Sequence, residues 1–269
     1  MPELPDVELY KRYLDEHALR QRIEHVAVGD ARILGDLSAR AFAATLRGNR
    51  FEESRRHGKH LLVRLERTGW LTLHFGMTGS LAYFRKGEDD PPYDRVRFDF
   101  EGGAHLAYVN RRMLGLVGLT EDADAFIRAE GLGPDALDPA FDLAAFTAAL
   151  SGRRRDVKSV LMDQGLIAGV GNIYADEILF QARLHPKTPA TALDERQRAA
   201  LFKQVKAVLR TAIERGAGAE QLLERLPDDY LLPHRDKGGK CPRCGTPIAS
   251  LKSGGRTSYF CPRCQPDPG

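Results

Sequence analysis

A chain of 269 residues, 42% hydrophobic and 29% charged, is long enough for two domains with separate cores and has the balance of a globular protein. No run approaches the roughly 18 apolar residues of a membrane-spanning helix, and charges begin at Glu3, which leaves no apolar segment for a secretory leader. A cytoplasmic protein is expected. The net charge of +3 is modest but uneven: residues 233–269 hold seven basic side chains (Arg235, Lys237, Lys240, Arg243, Lys252, Arg256, Arg263) against two acidic ones (Asp236, Asp267). A basic terminus on a near-neutral body points to a local polyanion contact.

The chain opens Met1-Pro2-Glu3-Leu4-Pro5-Asp6-Val7-Glu8. A small residue at position 2 favours removal of Met1, which turns Pro2 into a free secondary amine. An α-amino group titrates near pH 8, about two to three units below a lysine, so a useful fraction is nucleophilic at cellular pH. An amine beside a carboxylic acid, Glu3, is the minimal kit for attack on a sugar or carbonyl carbon through a Schiff base. The same residues also suit a plain helix start, with Glu3, Asp6 and Glu8 complementing its dipole. On this stretch alone both readings stand.

Val7, Tyr10, Leu14 and Ala18 recur at helical spacing, which predicts a helix to about residue 18. Strand-like runs follow at 23–34, 60–66, 70–73, 80–85, 95–100 and 105–109, several alternating as half-buried antiparallel strands do. Residues 1–130 therefore read as a β-sandwich or barrel with a flanking helix. Gly131-Leu132-Gly133-Pro134 marks a linker, and beyond it the pattern turns helical at 143–150, 157–163, 173–182 and 194–215. The expected fold is α+β and multidomain: the sandwich at 1–130, a helical domain at 131–232, and a zinc finger at 233–269.

All four cysteines lie in the basic tail, as Cys241-Pro242-Arg243-Cys244 and Cys261-Pro262-Arg263-Cys264. Two CxxC knuckles at this spacing match one structural zinc ion held by four thiolates, with no position left open for a substrate. Residues 248–250 and 257–260 read as the strands of a hairpin between the knuckles. Lys252-Ser253-Gly254-Gly255-Arg256 would then place two cations at its tip, suited to a DNA groove or a phosphate.

A second motif, running from Asp163 through Gly169, Gly171 and Asn172 to Glu177, reads as helix, glycine-punctuated turn, helix. The glycines permit close backbone approach to a ligand, and the helix opening at Asn172 offers N–H groups to a phosphate, with Lys158 and Arg153-Arg154-Arg155 adding charge. Glycine turns between helices are common, so this motif alone leaves DNA contact open. Arg55-Arg56-His57-Gly58-Lys59-His60 is either a solvated strand edge or a phosphate clamp. Met77 and Met113 lie in glycine-rich loops. Proteins that evert a nucleotide need apolar wedges and a cation for the orphaned base, though core methionines beside surface arginines are the alternative.

Together and in this order, these segments resemble the formamidopyrimidine-DNA glycosylase and endonuclease VIII family of base-excision repair enzymes, closer to the first branch. The resemblance implies a bifunctional glycosylase and abasic-site lyase. Pro2 would attack deoxyribose C1′ and expel an oxidised base, and the Schiff base would support β,δ-elimination. By the same resemblance Glu3 is the general acid/base, and Lys59, Arg256, Lys158 and Asn172 grip phosphates. Met77, Arg111 and Met113 would form the wedge. Double-stranded DNA bearing damaged bases or abasic sites is the implied partner of a monomer associated with the nucleoid.

Three departures stand out. Asp6 replaces the usual glutamate. Val109-Asn110-Arg111-Arg112-Met113 stands where Asp-Pro-Arg-Arg-Phe is familiar, and residues 216–240 lack the familiar sequence of the loop that covers oxidised purines. His234-Arg235-Asp236 looks more like the endonuclease VIII branch, so lesion and opposite-base preference stay open. The competing expectations are a non-catalytic protein that binds damaged or distorted DNA, and a zinc ribbon serving protein contacts.

Overall fold

The computed structural model describes residues 1–67, 69–219, 221–236, 238–253 and 255–267. Lys237 and Gly254, which the sequence placed in the basic tail and at the hairpin tip, lie outside the described residues. The backbone divides into two units: Met1–Pro2 with Asp6–Glu130, and Glu3–Pro5 with Gly131–Gly269. Among the described residues, no helix is long and apolar enough to cross a membrane.

Helix α1 (Leu4–His17), which belongs to the first unit from Asp6 onward, buries Val7 and Leu14 completely, as its spacing requires, with Ala18 buried just beyond its end. Tyr10 lies on the same face, its ring 4.6 Å from that of Phe75. Strand β1 (Ile23–Val28) is shorter than the single run expected at 23–34. It ends because Gly29 turns the chain and Asp30 caps a 3-10 turn at Ala31–Leu34, its carboxylate accepting from Arg32 N at 3.2 Å. Helix α2 (Ala39–Leu46) was not anticipated. Ser38 caps it, and Phe42 and Leu46, four apart, are its only wholly buried positions.

Strands β2 (Phe51–His57), β3 (His60–Leu65), β4 (Trp70–His74), β5 (Gly79–Arg85), β6 (Asp94–Phe100), β7 (Ala104–Asn110) and β8 (Leu116–Thr120) follow, and then helix α3 (Ala123–Ala129). They form two antiparallel sheets, ordered β1-β6-β7-β5 and β2-β3-β4-β8. Side chains of both sheets share one core, with Phe98 wholly buried and edge-on to Phe51 at 5.3 Å. The predicted sandwich is therefore present.

The second unit contains helices α4 (Leu143–Leu150), α5 (Val157–Leu161), α6 (Asn172–Ala182) and α7 (Glu195–Arg215), and a hairpin of β9 (Ala249–Ser253) and β10 (Arg256–Phe260). Asp194 and Gln197 form a capping box at the start of α7, and Gly216 ends it with φ +64°. Every residue of α6 from Ile173 to Phe180 is buried, so the helix is enclosed on all sides and its two carboxylates must find partners inside the protein. Those of Glu177 are Gln181 Nε2 of the same helix at 2.7 Å and Leu232 N at 2.9 Å, the second of which fastens the segment leading to the zinc finger onto α6.

Burial pushes the Glu177 carboxyl up to about 7. A carboxyl raised on folding contributes stability that is complete in acid and is lost as pH rises through that value. Glu177→Gln should therefore lower the urea midpoint while shrinking its fall between about pH 5 and pH 8. An equally steep fall in the variant would contradict this origin.

Candidate functional site

Glu3 is 0% exposed, and its carboxylate accepts hydrogen bonds from Gly171 N (2.9 Å), Ile173 N (2.9 Å) and Tyr174 N (3.1 Å). These amides belong to the opening of α6, where N–H groups lack partners within the helix and the dipole favours an anion. Leu4 N donates to Gly169 O at 3.1 Å and extends the contact by one residue. A Cβ at Gly171 would lie 2.3 Å from the Glu3 carboxyl carbon, and one at Gly169, where φ is +114°, 2.4 Å from Leu4 Cδ1. Only glycine fits at either position.

This corrects the sequence reading of the glycine turn. Its close approach and its unpaired amides serve a carboxylate of the same chain, not an external phosphate. The Gln164 side chain fixes the turn, donating to Met162 O and Val170 O (both 2.8 Å) and accepting from Gly169 N (3.0 Å). Charge-assisted bonds of this kind contribute about 1.5–3 kcal/mol each, enough to offset the cost of burying an ion. Pro2, half-buried, precedes the clamped residue by one peptide bond. Asp6 lies near Tyr10, whose hydroxyl is pushed up by burial first and by the Asp6 charge second.

Lys158 is also 0% exposed. Its Nζ donates to Asn172 Oδ1 (2.8 Å) and Ser258 Oγ (2.7 Å) and forms an ion pair with Asp176 Oδ1 (2.6 Å). Three oxygens thus face its three N–H groups, so a direct phosphate contact would require exchanging one of them. An ammonium has no acceptor, so the Asn172 amide must turn its oxygen toward Lys158 and its NH₂ away. Asn172 is half-buried.

The other Asp176 oxygen accepts from Arg235 Nε (2.8 Å) and Tyr259 N (3.1 Å), and Arg235 stacks over the Tyr259 ring at 4.7 Å. Burial pushes the Lys158 ammonium down and the Asp176 carboxyl up, against their mutual attraction. Asp176, Arg235 and Ser258 were missed as site residues. The available signal was an acidic pair inside an otherwise apolar helix.

The hairpin is held by Ser258 and Tyr259 and by Ser253 Oγ, which donates to Asp156 Oδ2 at 2.8 Å. Arg256, expected at the turn of the hairpin, is the first residue of β10, paired with Ser253, the last of β9, and exposed. Lys252 lies in β9, with its Nζ donating to Thr257 Oγ1 at 2.9 Å. Of the tail's cations, Arg235 serves Asp176, and Arg243 sits over the Phe180 ring at 4.3 Å while donating to Phe180 O.

The Sγ atoms of Cys241, Cys244, Cys261 and Cys264 all lie within 4.8 Å of one another. Three of the separations are 3.8 Å (241–264), 3.5 Å (244–261) and 3.6 Å (244–264). Zinc–sulfur bonds of ~2.3 Å in a tetrahedron put sulfurs about 3.8 Å apart, so these residues fit one structural zinc ion.

In the first unit, Lys59 occupies a two-residue turn between β2 and β3, with Gly58 at φ +56° as such turns demand. Its neighbours are committed elsewhere: Arg55 Nη1 donates to Asp124 (2.6 Å) and Arg56 Nε to Glu8 (2.9 Å). Burial drives the His60 imidazole down to about 3 and lowers that of His74. The Met77 loop and the loop after β7 are adjacent, with Arg112 N donating to Thr78 Oγ1 at 3.1 Å. Met77 and Arg111 are exposed, whereas Met113 is half-buried against the sandwich core.

Comparison with known proteins bears on both units. Residues 1–117 match the formamidopyrimidine-DNA glycosylase N-terminal domain, 132–223 its H2TH domain, and 238–266 the zinc finger found in FPG and IleRS. The chain is 37% identical to a formamidopyrimidine-DNA glycosylase of Methylococcus capsulatus, over 98% of this chain and 100% of the relative. It is 38% identical to that of Moorella thermoacetica, over 94% and 95%. Among solved structures, the Lactococcus lactis glycosylase bound non-covalently to DNA containing an abasic site superposes with a TM-score of 0.89 at 27% identity, covering 98% of this chain and 100% of that one. The same enzyme with DNA bearing N7-benzyl-Fapy-dG gives 0.90 at 26% identity, covering 99% and 100%.

Two outcomes follow from the geometry. Gly171→Ala should expel the Glu3 carboxylate from its amides and lower the melting temperature by several degrees, corresponding to a loss of about 2 kcal/mol or more; wild-type thermal stability would contradict the clamp. Purified protein should contain one zinc per chain. Its removal by a chelator should raise hydrogen exchange in residues 239–265 while leaving the sandwich protected, and unchanged exchange there would contradict a metal-held hairpin.

Proposed function

The chain belongs to the formamidopyrimidine-DNA glycosylase family, and from that premise we infer that it excises oxidised bases from double-stranded DNA and cleaves the abasic site that results. The observation that carries the reading is the Glu3 clamp: a buried carboxylate, fixed by three backbone amides, next in the chain to a proline able to act as an N-terminal amine.

Once Met1 is removed, the Pro2 nitrogen holds a lone pair and bonds to deoxyribose C1′ as the C1′–N bond to the damaged base breaks. The base leaves with that electron pair and takes up a proton. Cleavage passes through an oxocarbenium-like state that a nearby carboxylate stabilises. The Pro2 nitrogen gives up its N–H proton on bonding, and passage of a proton to the ring oxygen, with the Glu3 carboxylate assigned as the relay between the two, opens the sugar and leaves an iminium ion on Pro2. Loss of a C2′ proton expels the 3′ phosphate, a second elimination expels the 5′ phosphate, and hydrolysis of the iminium releases the protein.

Lys59, Arg256 and the NH₂ of Asn172 are assigned to phosphate oxygens flanking the lesion, with Lys158 acting through Asn172, whose amide it orients. Met77 and Arg111 are assigned to the gap left by the everted nucleotide. The zinc ion, when bound, holds the base of the hairpin that presents Arg256. We assign the functional division to residues 1–130, 131–232 and 233–269, and the working form to a monomer at the nucleoid in the cytoplasm.

Borohydride reduction during incubation with abasic duplex should trap a covalent adduct at Pro2 in protein lacking Met1, located by peptide mass spectrometry. Absence of an adduct from correctly processed protein would refute the mechanism.

A further inference from the structure

We propose that the sandwich carries a second DNA-binding face, an arginine cluster at the end of β2 and β3 opposite Lys59, which holds the backbone phosphates of another duplex segment. The inference goes beyond the reading above and takes from it only that DNA is the polymer met at the Lys59 end. Arg20, Arg22, Arg47, Arg50 and Arg67 are spread over nearly fifty positions, and the fold gathers them. Arg22 and Arg50 are bridge partners, and Arg22 Nη1 donates to Gly48 O at 2.9 Å. The Arg67 guanidinium reaches the same glycine, where a Cβ would lie 3.4 Å from its Nη2. Arg47 precedes Gly48, and Arg20 N donates to Phe51 O at 2.7 Å.

The backbone beneath the cluster is fixed. Asn49 is buried, and its Oδ1 accepts from Arg50 N (2.9 Å) and Arg67 N (3.2 Å). Gly48 N donates to Ile23 O (2.7 Å), Ile23 N to Asn49 O (2.9 Å) and Glu66 N to Arg50 O (2.9 Å). Three stretches of chain are thus tied into one platform, so a phosphate that lands there orders side chains alone and no loop.

The charge is not balanced within the protein. Glu101 Oε1 is 3.8 Å from Arg22 Nε and Glu66 Oε1 is 4.0 Å from Arg50 Nε, both beyond hydrogen-bonding distance. Arg50 Nε is buried with no hydrogen-bond acceptor. Arg20, Arg47 and Arg67 are exposed, and among the described residues no carboxylate lies within ion-pair distance of them. Arg47 closes α2, whose dipole favours a cation there, which accounts for one charge of the five. Like charges collected on one surface repel, and a polyanion relieves that repulsion. All five are arginines, whose planar forks take phosphate oxygens two at a time.

The seven residues of β2, at about 3.3 Å each, put this face roughly 23 Å from the turn that carries Lys59. A protein engaged through Lys59 therefore keeps the arginines for a different segment, which a long DNA molecule offers at high local concentration. Such a face lets the protein pass from one segment to another without entering free solution.

The test uses the full chain with Arg47→Ser/Arg67→Ser and with the charge-reversed Arg47→Glu/Arg67→Glu, each checked for a wild-type melting temperature. Protein loaded on a fluorescent duplex bearing a stable abasic analogue is mixed with rising concentrations of unlabelled, undamaged duplex, and its release is followed by stopped flow. Direct transfer makes the wild-type release rate climb with competitor concentration. That slope should fall about fivefold or more in the serine variant and vanish on charge reversal, while single-turnover nicking of a short abasic duplex stays within about twofold of wild type. A wild-type rate independent of competitor, an unchanged slope in the variants, or an equal loss of slope and nicking would each overturn the proposal. Release driven by polyglutamate and not by duplex, and dependent on Arg47 and Arg67, would assign the face to an acidic polypeptide and overturn it as well. Transfer that depends on these arginines in a wild-type protein that neither excises nor nicks would sink the glycosylase reading and uphold the second face.

Discussion

A carboxylate removed from water must recover its solvation from fixed donors or become neutral. Glu3 recovers it from the opening of α6, where Gly171, Ile173 and Tyr174 supply three amide N–H groups that the helix leaves unpaired. The constraint runs in both directions. The helix needs an anion at that end, and the carboxylate can enter only because Gly169 and Gly171 lack side chains. The position of Glu3 is therefore set by backbone, the least adjustable part of a protein, and the chain leading to Pro2 starts from a fixed point. A nucleophile that must meet one carbon of a sugar gains most from such positioning, since orientation can supply several kcal/mol of a barrier.

A second buried charge cluster supports the zinc hairpin. Asp176 faces Lys158, Arg235 and the Tyr259 amide, and Lys158 in turn faces Asn172 and Ser258. Buried ion pairs add little net stability, but removing one partner strands the others, so such clusters specify geometry. Here the geometry is that of β10, whose first residue is Arg256, relative to α6, whose first residue is Asn172. Two residues assigned to phosphate are held in one frame by Lys158, Asp176 and Ser258, which are buried.

Much of this was legible in the sequence, for identifiable reasons. The cysteine pairs announce a metal site because four thiolates at CxxC spacing have few other uses, and the sandwich strands with alternating apolar side chains were visible by period. Strand β2 was not, because Phe51–His57 carries charges at nearly every inner position and borrows its structure from pairing with β3. The glycine turn was legible as a close approach but not in its object, since nothing local shows that the partner of residues 169–174 lies some 170 positions earlier at Glu3. Lys158 was legible as a cation but not as a buried one, because its partners Asp176 and Ser258 come from separate elements.

The central claim is that the Glu3 carboxylate occupies the opening of α6 and so fixes the start of the chain. Amide chemical shifts of Gly171, Ile173 and Tyr174 in wild-type protein and in Glu3→Gln test it directly, since an amide proton bonded to a carboxylate resonates well downfield of one facing a neutral group or water. A concerted upfield movement of all three resonances in Glu3→Gln, with those of α7 unmoved, is the expected result. Unchanged shifts at the three amides would contradict the clamp, and with it the placement of the amine.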